Sequence, residues 1–109
     1  MEFYKDLYVS EFLEKKRNKL VRDIRHKESY PSIYVIVLPA CDHNQLELYS
    51  SIMLKQKVYD RDDLFIVGIA DGYDDALMIV QRIYDDVLLK TGNTDVRRYL
   101  EENRRKGGK

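Results

Sequence analysis

Apolar positions in the first quarter of the chain recur mainly at three- and four-residue intervals. Phe3, Leu7, Tyr8, Phe12, Leu13, Leu20, Val21 and Ile24 follow this spacing, and residues 3 to 27 contain neither glycine nor proline. The spacing predicts a long amphipathic helix over that span. The stretch from Glu14 to Lys19 interrupts the apolar stripe, so basic stems must cover apolar surface there or the helix must overhang its core. Pro31 then pushes Tyr30 out of the helical region and marks a turn.

Ser32 to Leu38 is a β-branched run without alternation, as expected of a strand covered on both faces. Asn44 to Lys57 carries Leu46, Leu48, Tyr49, Ile52, Met53 and Leu54 in a mainly helical pattern, although Gln45 to Leu48 also alternates as a strand would. Whether residues 45–57 are helical throughout or include an additional strand stays open at this point. A polar connection over 59–63 leads into a second apolar run, Leu64 to Ala70. Asp71 to Lys90 then reads as a helix ending at Gly92, where a left-handed cap belongs. Asn93 or Thr94 suits the cap of a last helix with Val96, Tyr99 and Leu100.

These elements predict an α/β fold in the order α-β-α-β-α-α, with about four helices and a small parallel sheet of two buried strands. A strand-helix-strand unit is almost always parallel and right-handed. A single domain over 1–103 is expected, followed by a basic, glycine-containing tail, 104–109, expected to fray. A two-stranded sheet leaves two unpaired edges. Homodimerisation through an edge would cover them, as would a short extra strand near Lys57 to Tyr59; the dimer is the preferred expectation.

Composition adds limits. The 109 residues carry 19 basic and 19 acidic side chains, so no global charge favours nucleic acid or an anionic membrane. One cysteine, Cys41, excludes an internal disulfide, and the first residues lack a signal-like pattern; a cytoplasmic location is expected. The longest mainly apolar run, Ile33 to Cys41, is about half of the roughly 20 residues a membrane-crossing helix needs.

In open parallel sheets, ligands gather at the carboxyl ends of strands. The two loops that follow the predicted strands should therefore be neighbours and form a possible ligand site from Cys41, Asp42, His43, Asp71, Tyr73, Asp74 and Asp75. Asp42, Asp71 and Asp74, with His43, compose a candidate Mg²⁺ site for phosphate chemistry. Capping competes with that reading, because Asp71-Gly72-Tyr73-Asp74 and Asp42-His43-Asn44-Gln45 both have the capping-box form. Capping is the commoner role, so no metal or other cofactor is expected unless the Mg²⁺ alternative holds. Cys41 beside His43 could form a nucleophile pair, but a lone cysteine after a buried strand is more often an inert hydrophobe. Neither strand-helix junction matches a glycine-rich phosphate loop.

Charge is distributed unevenly. Residues 15–27 carry seven basic side chains and one acidic, whereas residues 28–96 carry five and twelve. Lys15, Lys16, Arg17, Lys19, Arg22 and Arg25 thus form a possible basic partner surface. A solvated face is its first reading, docking onto an acidic protein surface its second, and a nucleic-acid backbone its third. Of nine tyrosines, Tyr30, Tyr59 and Tyr73 are the expected exposed contacts. The combined reading is a small binding or interaction module, homodimeric, with no membrane partner. A Mg²⁺-dependent phosphate-processing enzyme and a nucleic-acid-binding accessory protein are the alternatives.

Overall fold

A computed structural model of the chain describes residues 1–26, 28, 30–39, 46–55 and 64–107. Two layers of helix enclose one mixed sheet. The strands are β1 (Glu2–Val9), β2 (Ile33–Leu38), β3 (Glu47–Ser50) and β4 (Phe65–Asp71). The helices are α1 (Arg17–Arg25), preceded by a 3-10 turn over Glu14–Lys16, then α2 (Ser51–Lys55), α3 (Tyr73–Thr91) and α4 (Val96–Gly107).

The strands lie in the order β1-β4-β2-β3. β1 runs parallel to β4, and β2 is antiparallel to both β4 and β3. Two expectations are thereby corrected. The sheet is mixed and four-stranded among the described residues, and its two buried strands are antiparallel. The parallel crossover rule assumed that they were consecutive, whereas β3 intervenes and pairs with β2 across its other edge.

The predicted helix over 3–27 divides into strand, turn and a shorter helix. Tyr4 and Tyr8 enter one core cluster, while Phe3, Leu7 and Val9 pack on the other side of the sheet. Strand pairing therefore wins over a helical stripe that would put the neighbours Leu7 and Tyr8 on one face. Buried Ser10 ends β1: its carbonyl accepts the Leu13 N–H at 2.9 Å, and its Oγ lies 3.3 Å from the Phe12 N–H it accepts. Within the 44–57 region, residues 47–55 form β3 followed by α2, so the alternation of Leu46 and Leu48 was the strand signal. The Lys57–Tyr59 strand alternative lies outside the described residues.

On one face of the sheet, Tyr4, Tyr8, Ile36, Leu38, Phe65 and Val67 pack with Ile79, Ile83 and Val87 of α3 and with Val96 and Leu100 of α4. On the other, Val35, Val37, Ile66 and Ile69 meet Leu20 and Ile24 of α1 and Leu54 of α2. The β2–β4 register skips one residue, because Ile36 opposes Gly68 while Val37 opposes Ile66. The extra residue makes a β-bulge that turns Val67 and the position of Gly68 to the same face. A Cβ on Gly68 would lie 3.0 Å from Ile36 Cδ1, 3.1 Å from Ile79 Cγ2 and 3.2 Å from the Tyr8 carbonyl oxygen. Glycine is what lets α3 and β1 close on β4 there.

Gly92, with φ at 81°, ends α3 in the left-handed conformation expected of it, and its N–H bonds the Leu88 carbonyl at 2.8 Å. α4 is capped one position later than the sequence suggests. The Asp95 carboxylate accepts the Arg98 N–H at 3.2 Å, and Asn93 Oδ1 in turn accepts the Asp95 N–H at 2.9 Å. α4 runs to Gly107, through the first residues of the expected tail. Arg104 reaches Glu2 at 2.6 Å, and its guanidinium lies 4.4 Å from the Phe65 ring centroid.

Candidate functional site

α3 organises the surfaces of this molecule that could bind something. At 3.6 residues per turn its side chains sort into distinct faces. Ala76, Ile79, Ile83 and Val87 are buried against the sheet. The flank toward β1 carries Arg82, Asp86 and Lys90 at four-residue spacing, and the flank toward β2 and β3 carries Tyr73, Leu77, Val80, Tyr84 and Leu88. One flank is charged and the other apolar.

The apolar flank is open. Of the seven exposed large hydrophobic side chains among the described residues, five belong to α3: Tyr73, Leu77, Met78, Leu88 and Leu89. Tyr73 is 54% exposed, Leu77 45% and Leu88 48%, although all three lie on the flank that continues onto the sheet. The Tyr73 ring meets Tyr34 of β2 edge-on at 5.9 Å, and Leu46 and Leu48 lie half-buried on the same sheet face. A surface helix needs only one apolar stripe of about 100° to hold it on its core, so this second flank exceeds what packing requires.

The charged flank borders a cleft of about 430 Å³ between β1, α3 and α4, with Arg17 at its rim. The β1–β4 register takes five steps along β1, from Phe3 to Tyr8, against two along β4. This excursion turns Lys5 and Asp6 outward to form one wall. Tyr8 Oη donates to Asp86 Oδ2, and Lys90 Nζ lies 3.3 Å from the same oxygen. Arg82 Nη1 donates to the Val9 carbonyl at 3.1 Å, with its guanidinium 5.6 Å from the Tyr8 ring centroid. Tyr4 stacks on Tyr8 with centroids 6.3 Å apart and accepts a bond from Asn103 Nδ2 at 2.9 Å.

Burial, followed by the hydrogen bond to Asp86, drives the Tyr8 phenol far above its ordinary pKa. Burial also raises Tyr4. Hydrogen bonding to Tyr99, then to Asp86, raises Lys90 and keeps it cationic. At the rim, the Arg17 fork holds Glu14 below the usual carboxylate range.

The residues singled out by sequence are dispersed. Leu38 pairs with Phe65 and Ile33 with Asp71, so the carboxyl ends of β2 and β4 lie at opposite ends of their ladder. The strand ends expected to be neighbours are therefore apart; Cys41, Asp42 and His43, and with them the Asp42–Asp71–Asp74 site, lie outside the described residues. Asp71 does not cap α3. Gly72 holds the cap position at φ 101° without a side-chain bond, and the Asp75 carboxylate reaches back to the Asp71 N–H at 2.8 Å. Asp74 sits in the first turn of α3, where the helix dipole favours negative charge. Among the described residues, no three His, Cys, Asp or Glu side chains gather as a metal site.

The predicted basic surface divides between two places. Arg17 turns to Glu14 and the larger cleft. Lys16 and Lys19 border a second cleft of about 240 Å³ that also reaches Tyr30 and Asp71. Lys19 pairs with Asp23 at 2.9 Å, and Arg25 lies over Phe3 at 4.8 Å, while Lys15 and Arg22 are exposed. Sequence reasoning missed Arg82, Asp86 and Lys90, although their i, i+4, i+8 spacing put three charges on one helix flank.

No helix among the described residues is long and apolar enough to cross a membrane. Comparisons with models of protein families, with curated proteins and with solved structures find no match to this chain.

Proposed function

We propose that the protein is a small binding module that self-associates through the apolar flank of α3 and the neighbouring edge of β3. The observation that carries this reading is the exposure of Tyr73, Leu77 and Leu88 on one flank of α3, beside the strand that ends the sheet among the described residues. A two-fold axis requires a patch that is complementary to itself, and an antiparallel pairing of β3 with its own copy satisfies that condition. The chain carries no net charge, so two copies meet without long-range repulsion. The half-buried Tyr34, Leu46 and Leu48 would then be covered together with Tyr73, Leu77 and Leu88. A cytoplasmic address accompanies this reading, since the lone Cys41 offers no disulfide framework.

Light scattering over a concentration series tests it. The expected result is a dimer that persists at high salt, because its contact is apolar, and that becomes a monomer in the double variant Leu77→Glu, Leu88→Glu. Both side chains are already about half exposed, so the variant should keep its fold. A wild-type monomer at every concentration, or a dimer unaffected by the double substitution, would refute the proposal.

A further inference from the structure

The geometry points to the cleft between β1, α3 and α4 as a binding site for a small phosphate monoester whose remaining part is polar, such as a phosphorylated sugar. The cleft lies on the flank of α3 opposite the proposed dimer face, so this inference stands apart from self-association.

Cations reach the cleft from three elements: Lys5 from the excursion in β1, Arg17 from the start of α1, and Arg82 and Lys90 from α3. α3 carries four carboxylates but only these two basic residues, and both face the cleft. Two carboxylates also line it. Asp86 is compensated by the Tyr8 hydroxyl and Lys90, and Asp6 stands exposed on the strand excursion. Glu14 pairs with Arg17 at the rim, so four cations face three carboxylates and the recess keeps a net positive charge, carried by Lys5 and Arg82. Lys5 forms no ion pair with a described residue, and Arg82 spends one donor on Val9, leaving guanidinium N–H groups for oxygen anions. Arg82, Lys5 and Lys90 together suit the several oxygens of a phosphate group better than a single carboxylate.

The rest of the lining argues for a polar ligand body. Tyr4 and Tyr8 are only 3% and 8% exposed, and the half-buried Tyr99 has the Lys90 ammonium 6.0 Å from its ring centroid, so the three offer little ring face for stacking a base. Leu7 is the sole aliphatic side chain of the lining, whereas hydroxyl and charged groups make up most of it. A volume of about 430 Å³ lies near the lower end for small-molecule pockets, consistent with a sugar phosphate.

The test is a thermal-shift and calorimetric titration with glucose 6-phosphate, inorganic phosphate and glucose, with ionic strength matched by NaCl. The expected result is stabilisation by glucose 6-phosphate, less by inorganic phosphate and none by glucose. Equal stabilisation by both phosphates keeps the phosphate site and assigns it to the free ion. Arg82→Gln with Lys90→Gln should abolish the shift, and Lys15→Gln with Arg22→Gln, on the exposed face of the basic segment, should leave it intact. Asp6→Asn, which removes a negative charge from the wall, should tighten binding roughly two- to fivefold. Circular dichroism on each variant checks the fold, which should be retained because all the altered side chains are exposed. The inference is overturned by the absence of any phosphate-dependent shift, by an equal response to glucose, by a shift that survives Arg82→Gln with Lys90→Gln, or by weaker binding in Asp6→Asn.

Discussion

Replacing Gly68 by alanine probes the junction where α3, β1 and β2 all approach β4. The added Cβ would sit 3.0 Å from Ile36 Cδ1, 3.1 Å from Ile79 Cγ2 and 3.2 Å from the Tyr8 carbonyl oxygen. Carbon atoms prefer about 3.5 to 4.0 Å, so both isoleucine contacts must open by several tenths of an ångström. Forcing a methyl group into a packed core costs about 1 to 3 kcal/mol. Losing glycine's freedom in the unfolded chain offsets about 0.4 to 1 kcal/mol of that. The net expectation is destabilisation by about 1 kcal/mol, equivalent to a fall of about 4 °C in Tm for a domain of this size. Ile36→Val removes the nearest atom, Cδ1, and by itself should cost about 0.5 to 1.5 kcal/mol. In the double variant the new Cβ occupies part of the vacated space, so the double should be more stable than the two single effects predict by about 1 kcal/mol. Urea denaturation of the four proteins measures this coupling, with unchanged m-values confirming a common unfolding reaction. Additivity to within about 0.3 kcal/mol, or a Gly68→Ala protein more stable than its parent, would refute the reasoning.

Two further outcomes follow from particular contacts. Asp95→Ala removes the acceptor of the Arg98 N–H and should lower stability by about 1 kcal/mol, whereas Asp95→Ser should restore most of it; thermal melts decide. The phenols of Tyr4 and Tyr8 are held above their unfolded value near 10, so both keep their protons in the folded protein after the unfolded chain begins to lose them. Their contribution to stability is therefore full below about pH 10 and is lost as pH rises beyond it. Tyrosinate absorbance should show these two groups titrating only with unfolding, and Tyr8→Phe should soften the alkaline loss. Full ionisation of all nine tyrosines at about pH 11 while the fold persists would contradict this.

The legible parts of the fold were those in which one local pattern had one physical meaning. Ile33 to Leu38 and Phe65 to Ala70 are continuous apolar runs because helices cover both faces of the sheet. α3 was legible from its buried stripe and from Gly92. β1 was misread because apolar residues occupy both of its faces and only Lys5 and Asp6 are exposed, which leaves Phe3, Tyr4, Leu7 and Tyr8 at spacings that mimic a helix. Its β-forming composition, with Phe3, Tyr4, Tyr8 and Val9, was the signal that could have corrected the reading. Strand direction had no local signature, and the inferred parallel pairing failed once β3 entered the sheet. The charged cleft was hidden for the same reason, since it assembles around a strand the sequence had presented as helix. Arg82, Asp86 and Lys90 could be placed on one flank of α3 from spacing, but the Tyr8 hydroxyl that meets Asp86 lies 78 residues away.

The parallel pairing of β1 with β4 joins the first strand of the chain to the last, and contacts such as Tyr4 with Asn103 and Glu2 with Arg104 span 99 and 102 residues. During synthesis, β2 and β3 can pair early, but β1 has no neighbour until β4 emerges. β4, which lies between β1 and β2, therefore arrives last, and one late event closes both the sheet and its helix layer. A high contact order of this kind slows folding and lengthens the interval in which Val35, Ile36 and Val37 stand on an unpaired edge. The same topology that ties the two ends of the chain together makes the half-synthesised chain the species most exposed to aggregation.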